Sequence, residues 1–160
     1  MSQLKPSPRI NKFRNLHRLS QLLDNAIPIP GTPYRIGIDP ILGLLPGGGD
    51  TLTGALSAYI IVEAAQMGLP HQVIGQMVAN LLLDSVIGIV PVLGDLFDLG
   101  WKANVKNIAL LKQHLPQTQD RLQSNRLFVI GLSLLLVVIV MGFATLTVIL
   151  IRWLWNLILS

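Results

Sequence analysis

Apolar positions recur at helical spacing in five stretches of the chain, and the polar residues between them decide what each stretch can do. In the first, Ile10, Phe13, Leu16, Leu19 and Leu23 fall on one face while Lys12, Arg14, Asn15, Arg18 and Gln21 occupy the rest of the cylinder. This predicts a basic amphipathic helix, lying either on a membrane surface or against the rest of the protein. A connector follows, Ile27-Pro28-Ile29-Pro30-Gly31-Thr32-Pro33, in which the prolines fix φ and remove backbone donors, so that neither helix nor central strand continues. An apolar helix is predicted from Thr51 to Gly68, stopped by Gly68-Leu69-Pro70. A second runs from about Gln72 to Ser85, with Gln72, Gln76, Asn80 and Asp84 at intervals of four. Those four form a polar stripe that should face another helix or a hydrated crevice, because lipid does not tolerate it. A third helix, from Asp95 to about Gln113, carries Asp95, Asp98, Lys102 and Lys106 opposite Phe97, Trp101, Ile108 and Leu111.

The segments that open two of these helices are alike. Placing Asp39 over Asp84 brings Gly43 over Gly88, Pro46 over Pro91, Gly49 over Gly94 and Asp50 over Asp95, all at one offset of 45 residues. The shared pattern, D-x3-G-x2-P-x2-G-D, marks an internal duplication, and two such units are expected to pack about a pseudo-two-fold axis. Asp50 and Asp95 stand where an N-cap carboxylate would accept the free amides of the next turn. The competing reading is a polar site between the repeats, of the kind that broken helices build at membrane depth. Its candidate residues are Asp39, Asp50, Asp84, Asp95 and Asp98, with Asn80, Lys102 and Asn104, and Glu63 is a further carboxylate able to join them.

The fifth stretch, Leu127 to Ile151, holds 25 residues without a formal charge, bracketed by Arg126 and Arg152 and followed by Trp153 and Trp155. At 1.5 Å per residue it is roughly 37 Å long, enough to cross a hydrocarbon core with tilt, and the tryptophans fall in the interfacial belt. Composition agrees: 51% of residues are hydrophobic and only 12% charged, about half the charged fraction of soluble domains. The net charge of +4 gathers in Lys5, Arg9, Lys12, Arg14 and Arg18 and again in Lys102, Lys106, Lys112, Arg121 and Arg126. Without aromatic residues interleaved on a recognition element, this charge points to the cytoplasmic side of a membrane and not to nucleic acid. The N-terminus and the loop before the anchor are then both cytoplasmic, and an even number of crossings separates them. That number is zero for a surface unit, or two if 51–68 and 72–92 form a transmembrane hairpin, which is the arrangement expected.

The divisions that result are a basic tail and amphipathic helix at 1–24, a duplicated all-α domain at 25–113, a basic loop at 114–126, a transmembrane helix at 127–151 and a short exported tail at 152–160. Catalytic chemistry finds no footing. The three histidines, His17, His71 and His114, are scattered, and cysteine is absent. Gly47-Gly48-Gly49 is followed by an anion-repelling Asp50. No cofactor or metal is expected.

The segments I-P-I-P-G-T-P-Y-R-I-G-I-D-P-I-L-G-L-L-P-G-G-G-D, N-L-L-L-D-S-V-I-G-I-V-P-V-L-G-D-L-F-D and W-K-A-N-V-K-N together resemble the bacterial family termed domain of unknown function 4112, over roughly Leu22 to Leu111. Trp101 departs from the Phe or small residue expected before Lys102. The resemblance implies a shared fold and no reaction. The expectation for function is a non-enzymatic membrane scaffold or assembly protein that binds a protein partner or itself. The alternative is a small ion or solute transporter using the repeat carboxylates.

Overall fold

The structure is a computed structural model, which describes residues 7–33, 35–38, 49–88, 101–115 and 125–159. Five helices account for most of it: α1 (Pro8–Asn25), α2 (Gly49–Gln66), α3 (His71–Gly88), α4 (Ala103–His114) and α5 (Arg126–Leu159), with two-residue strands β1 (Ile27–Pro28) and β2 (Arg35–Ile36) after α1. The expected all-α class with one long apolar C-terminal helix holds.

Helix α1 starts at a Ser-Pro pair. The Ser7 hydroxyl accepts from the Ile10 amide at 3.4 Å, and Pro8, which has no amide to satisfy, takes the first helical position. Of its apolar stripe, Leu16 and Leu23 are fully buried, Phe13 and Leu19 pack on the core, and Ile10 stays half exposed. The amphipathic helix therefore docks on the protein. It lies along α4 and touches α2, so the division drawn at residue 24 falls inside one packed body. At its far end β1 and β2 pair antiparallel, Ile27 with Ile36 and Pro28 with Arg35. Gly31 turns the connector at φ +77°. Gly37 is pressed against α1, where a Cβ would run into the Leu23 carbonyl and come within 2.8 Å of the Asp24 Cα.

Helices α2 and α3 form the expected hairpin as an antiparallel pair. Gly68 sits at φ +85°, its amide bonds to Ala65 O at 3.0 Å and the Leu69 amide reaches Ala64 O at 3.4 Å. This is a Schellman stop. Buried Leu69 seals it, and Pro70 O then receives the Val73 and Ile74 amides as α3 begins. The core is the seam between these elements: Ile60, Ile61 and Ala64 of α2, Ile74, Met77 and Leu81 of α3, Ile108 and Leu111 of α4, and Leu132 and Leu136 of α5.

Several expectations are corrected here. Among the described residues α5 alone is long and apolar enough to cross a membrane, so the α2–α3 hairpin does not pass that test. Its turn also lies at the wrong end for two crossings. His71 stacks on Phe128, ring centroids 4.0 Å apart, at the basic start of α5, whereas a two-span hairpin would put the turn beside the other end. The physical reason is that the turn end is held by polar contacts: the Arg9 guanidinium donates to Met67 O at 3.4 Å, and the Lys12 ammonium pairs with the Glu63 carboxylate. The third helix is described only from Ala103, with Lys102 preceding it as N-cap. Asp50 occupies the second position of α2 and not the residue before it. Finally, α5 runs unbroken to Leu159, so the tail expected at 152–160 is helical as far as that residue.

Candidate functional site

Of the candidate residues, Asp39, Asp95 and Asp98 lie outside the described residues, as do Gly43, Pro46, Pro91 and Gly94 of the repeat and with them its expected pseudo-two-fold packing. Asp50 is described as backbone only. Asp84 is half-buried on α3. The structure does place Asn80, Lys102 and Asn104 in a polar network strung along α4, as separate hydrogen-bonded groups that meet α1 at its start and α3 one turn further on, and adds Asp24, Asn25 and Asn107 to it.

The network is built from the two ends of helices that meet there. Asp24 is the next-to-last residue of α1, buried at 8% exposure. One carboxylate oxygen accepts from the Asn104 side-chain amide at 2.8 Å, and the other from the Val105 backbone amide at 2.8 Å. Asp24 thus caps α4 from another element. The Lys102 residue at that N-cap makes no side-chain cap bond of its own, and the Val105 amide of the first turn is satisfied in trans. The Lys102 ammonium donates instead to the Asn25 side-chain carbonyl and to the Arg35 carbonyl, the latter at 2.9 Å, which ties the strand pair to the same point. The Arg35 Nε donates to Asn25 O at 3.1 Å and closes the ring.

One turn further along α4, Asn107 is fully buried. Its amide donates to Met77 O at 3.2 Å, and its carbonyl accepts from the Asn80 amide at 2.8 Å. The polar stripe of α3 is thereby divided. Asn80 faces α4 as expected of a stripe between helices, while Gln72 and Gln76 are exposed near the turn. Lys106 stands over the Trp101 ring, 2.9 Å from its centroid.

Burial pushes the Asp24 carboxyl above its ordinary value. The Asn104 and Val105 hydrogen bonds and the Lys102 charge pull it back. Asn104 keeps one orphan: its Oδ1 is buried without a hydrogen-bond partner. Glu63 does not join this group. It pairs with Lys12 near the opposite, turn end of α2. Among the described residues no cluster of three metal-ligating side chains occurs.

The K-A-N-x-x-N run supplies three members: Lys102 reaches α1 and β2, Asn104 reaches α1 and Asn107 reaches α3. Sequence reading missed Asp24 and Asn25. The signal for them was there: Leu22-Leu23 ends an apolar stripe, and an Asp-Asn pair directly after it, at the close of a helix with no acidic residue elsewhere, has to find a donor. The network can hold α1, the strand pair and α4 in fixed relation. Its carboxylate and four asparagines each bond to a protein group, and Asn104 Oδ1 is left over.

The sequence matches the family described as Domain of unknown function (DUF4112) over residues 12–115, and the chain belongs to that family. The match takes in most of α1 and all of α4, the two helices that the network joins. No curated protein and no solved structure matches the chain.

Proposed function

We propose that this DUF4112 protein is a non-enzymatic scaffold or assembly factor held in a membrane by α5, presenting its helical bundle to a protein partner or to a second copy. The observation that supports this reading is the use made of the described candidate polar residues. Asn80, Lys102 and Asn104 each bond to a side chain or carbonyl of a neighbouring element, which is the arrangement of residues that fix a shape. α5 supports the anchor, with Arg126 at its start and Arg152, Trp153 and Trp155 near its end. The bundle and the basic N-terminal helix are placed on the cytoplasmic face of a bacterial inner or thylakoid-type membrane, following the positive charge that precedes the span.

The alternative, ion or solute transport through the repeat carboxylates, predicts a different outcome in one experiment. The purified chain is reconstituted in vesicles and proton and cation flux is followed beside thermal stability, for the parent and for Asp50→Asn, Asp84→Asn, Asp95→Asn and Asn104→Ala. A scaffold gives no chain-dependent flux, and Asn104→Ala lowers the melting temperature. Flux that the three aspartate substitutions abolish without loss of stability overturns the scaffold in favour of the transporter.

A further inference from the structure

Exposed side chains divide the molecule into two unlike sides. Among the described side chains, the exposed formal charges are Arg14 and Arg18 of α1, Arg35 of β2, Lys112 of α4, and Arg126 and Arg152 towards the two ends of the apolar run of α5. None belongs to α2 or α3. Those two helices instead expose Leu52, Ala55 and Tyr59, and Ala79, Leu83 and Val86. On α3 the change runs along the axis: His71, Gln72 and Gln76 are exposed at the turn, while towards Gly88 the exposed residues are the apolar Leu83 and Val86, with Asp84 and Ser85 half-buried between them.

α2 and α3 are also the helices that touch α5, and their level along it is fixed at two points. His71 stacks on Phe128, and a Cβ on Gly54 would meet the Val140 methyls at 3.4 Å. α2 therefore runs down α5 and α3 runs up it. With a rise of 1.5 Å per residue, Leu83 and Val86 stand about 18 and 22 Å along the axis from His71, level with about residues 140–143 of α5. That is close to the middle of the apolar run from Leu127 to Ile151. The exposed residues of α5 at and before those levels, Leu134, Leu135, Val137, Val138 and Met141, are 52–68% exposed and likewise uncharged.

We infer that the bilayer covers more than α5: the open ends of α2 and α3 dip side-on into the hydrocarbon, with lipid acyl chains against Leu52, Ala55, Tyr59, Leu83 and Val86. The α2–α3 turn remains at the near interface, and the charged outer faces of α1 and α4 stay among water and headgroups. This rests on the reading of α5 as a membrane span. An uncharged face continuous with a span favours acyl chains over an aqueous partner. The oblique placement is open to α5, because a run of roughly 37 Å still bridges a core of about 30 Å when tilted by about 35°. The Asn80 amide donates to the Asn107 carbonyl and the Asn107 amide to Met77 O, the kind of pairing a low-dielectric setting demands. The arrangement is a third topology, neither a bundle standing clear of the membrane nor a two-span hairpin.

The chain has no cysteine, so single cysteines report on one site each. Ala55→Cys, Val86→Cys, Asn15→Cys, Gln72→Cys and, as control for the anchor, Val138→Cys are labelled with bimane in the full chain. Each is reconstituted in phosphatidylcholine–phosphatidylglycerol vesicles and challenged with aqueous iodide or with chain-brominated phosphatidylcholine. Labels at 55, 86 and 138 are expected to lose most of their fluorescence to brominated lipid and little to iodide, with the reverse at 15 and 72. Iodide quenching at 55 and 86 alongside lipid quenching at 138 overturns the inference and leaves the anchor standing. Protection of 55 and 86 from both quenchers, with cross-linking between copies through those cysteines, also overturns it and assigns the face to a second copy. Iodide quenching at 138 removes the membrane reading of α5 and the inference with it.

Discussion

Asp24 concentrates the energetics of the polar network in one side chain. A carboxylate that receives both the Asn104 amide and the Val105 backbone amide does the work of an N-cap and of a buried hydrogen-bond acceptor. Asp24→Ala leaves both donors without a partner, and the expected loss is roughly 2 kcal/mol or more, measured by thermal or chemical unfolding in detergent. The pH dependence follows from the direction of its shift. Burial raises the folded-state pKa of Asp24 above the unfolded value, near 4 for an aspartate. Between the two values the folded protein holds a proton that the unfolded chain has released. The Asp24 contribution to stability is therefore largest below the unfolded value, falls as pH rises through the window, and is constant above the folded value. Unfolding curves from pH 3.5 to 7 should show this fall in the parent and lose it in Asp24→Asn; equal slopes in both would assign the titration elsewhere.

Helix ends and helix faces show where sequence reading reached the structure and where it stopped. The stop at Gly68-Leu69-Pro70 was legible because a glycine with positive φ, an apolar seal and a proline act within three residues. Gly68→Ala puts a Cβ into the left-handed region at a cost of roughly 1–2 kcal/mol, read as a lowered melting temperature. Gly37 was passed over, since what it meets is the backbone of α1, fourteen residues away between Leu23 and Gly37. Gly37→Ala forces the strand pair off α1 and should cost about 1–3 kcal/mol, with Gly31→Ala as a comparison where open space leaves only the φ strain. The stripe of Gln72, Gln76, Asn80 and Asp84 was read correctly as polar, but periodicity cannot say which part meets a partner. The answer depends on where α4 crosses, and α4 supplies Asn107. A double-mutant cycle of Asn80→Ala and Asn107→Ala should return a coupling of about 0.5–1.5 kcal/mol, and Asn107→Ala should be the costlier single change because Asn107 is fully buried and also bonds Met77 O. The trans cap from Asp24 was beyond reach for the same reason: its donors lie 80 and 81 residues away.

For the molecule as a whole, the packing of α5 decides how the anchor relates to the family domain. The apolar run was legible from length and charge alone, and read that way it is a separate span joined by a loop. In the structure Leu132 and Leu136 are core residues and Val140 packs on Gly54, so α5, the one described helix long and apolar enough to cross a membrane, is also part of the bundle. Gly54 is the residue of α2 that faces Val140, but a lone Gly in an apolar helix reads equally as a weak point. The arrangement makes a covalent test available. A Cβ on Gly54 would lie 3.9 Å from the Val140 Cβ, within the range of about 3.5–4.5 Å that disulfides span. Gly54→Cys with Val140→Cys should therefore oxidise within one chain, seen as a mobility shift on non-reducing gels that dilution does not abolish. Gly54→Cys with Val148→Cys should not, because Val148 stands two helical turns, about 12 Å, further along α5. Formation of the first bridge in membranes fixes the level of α2 along α5 directly: with residue 54 locked to residue 140, α2 lies alongside α5 and cannot stand off from it on a flexible loop, whichever surface covers its outer face.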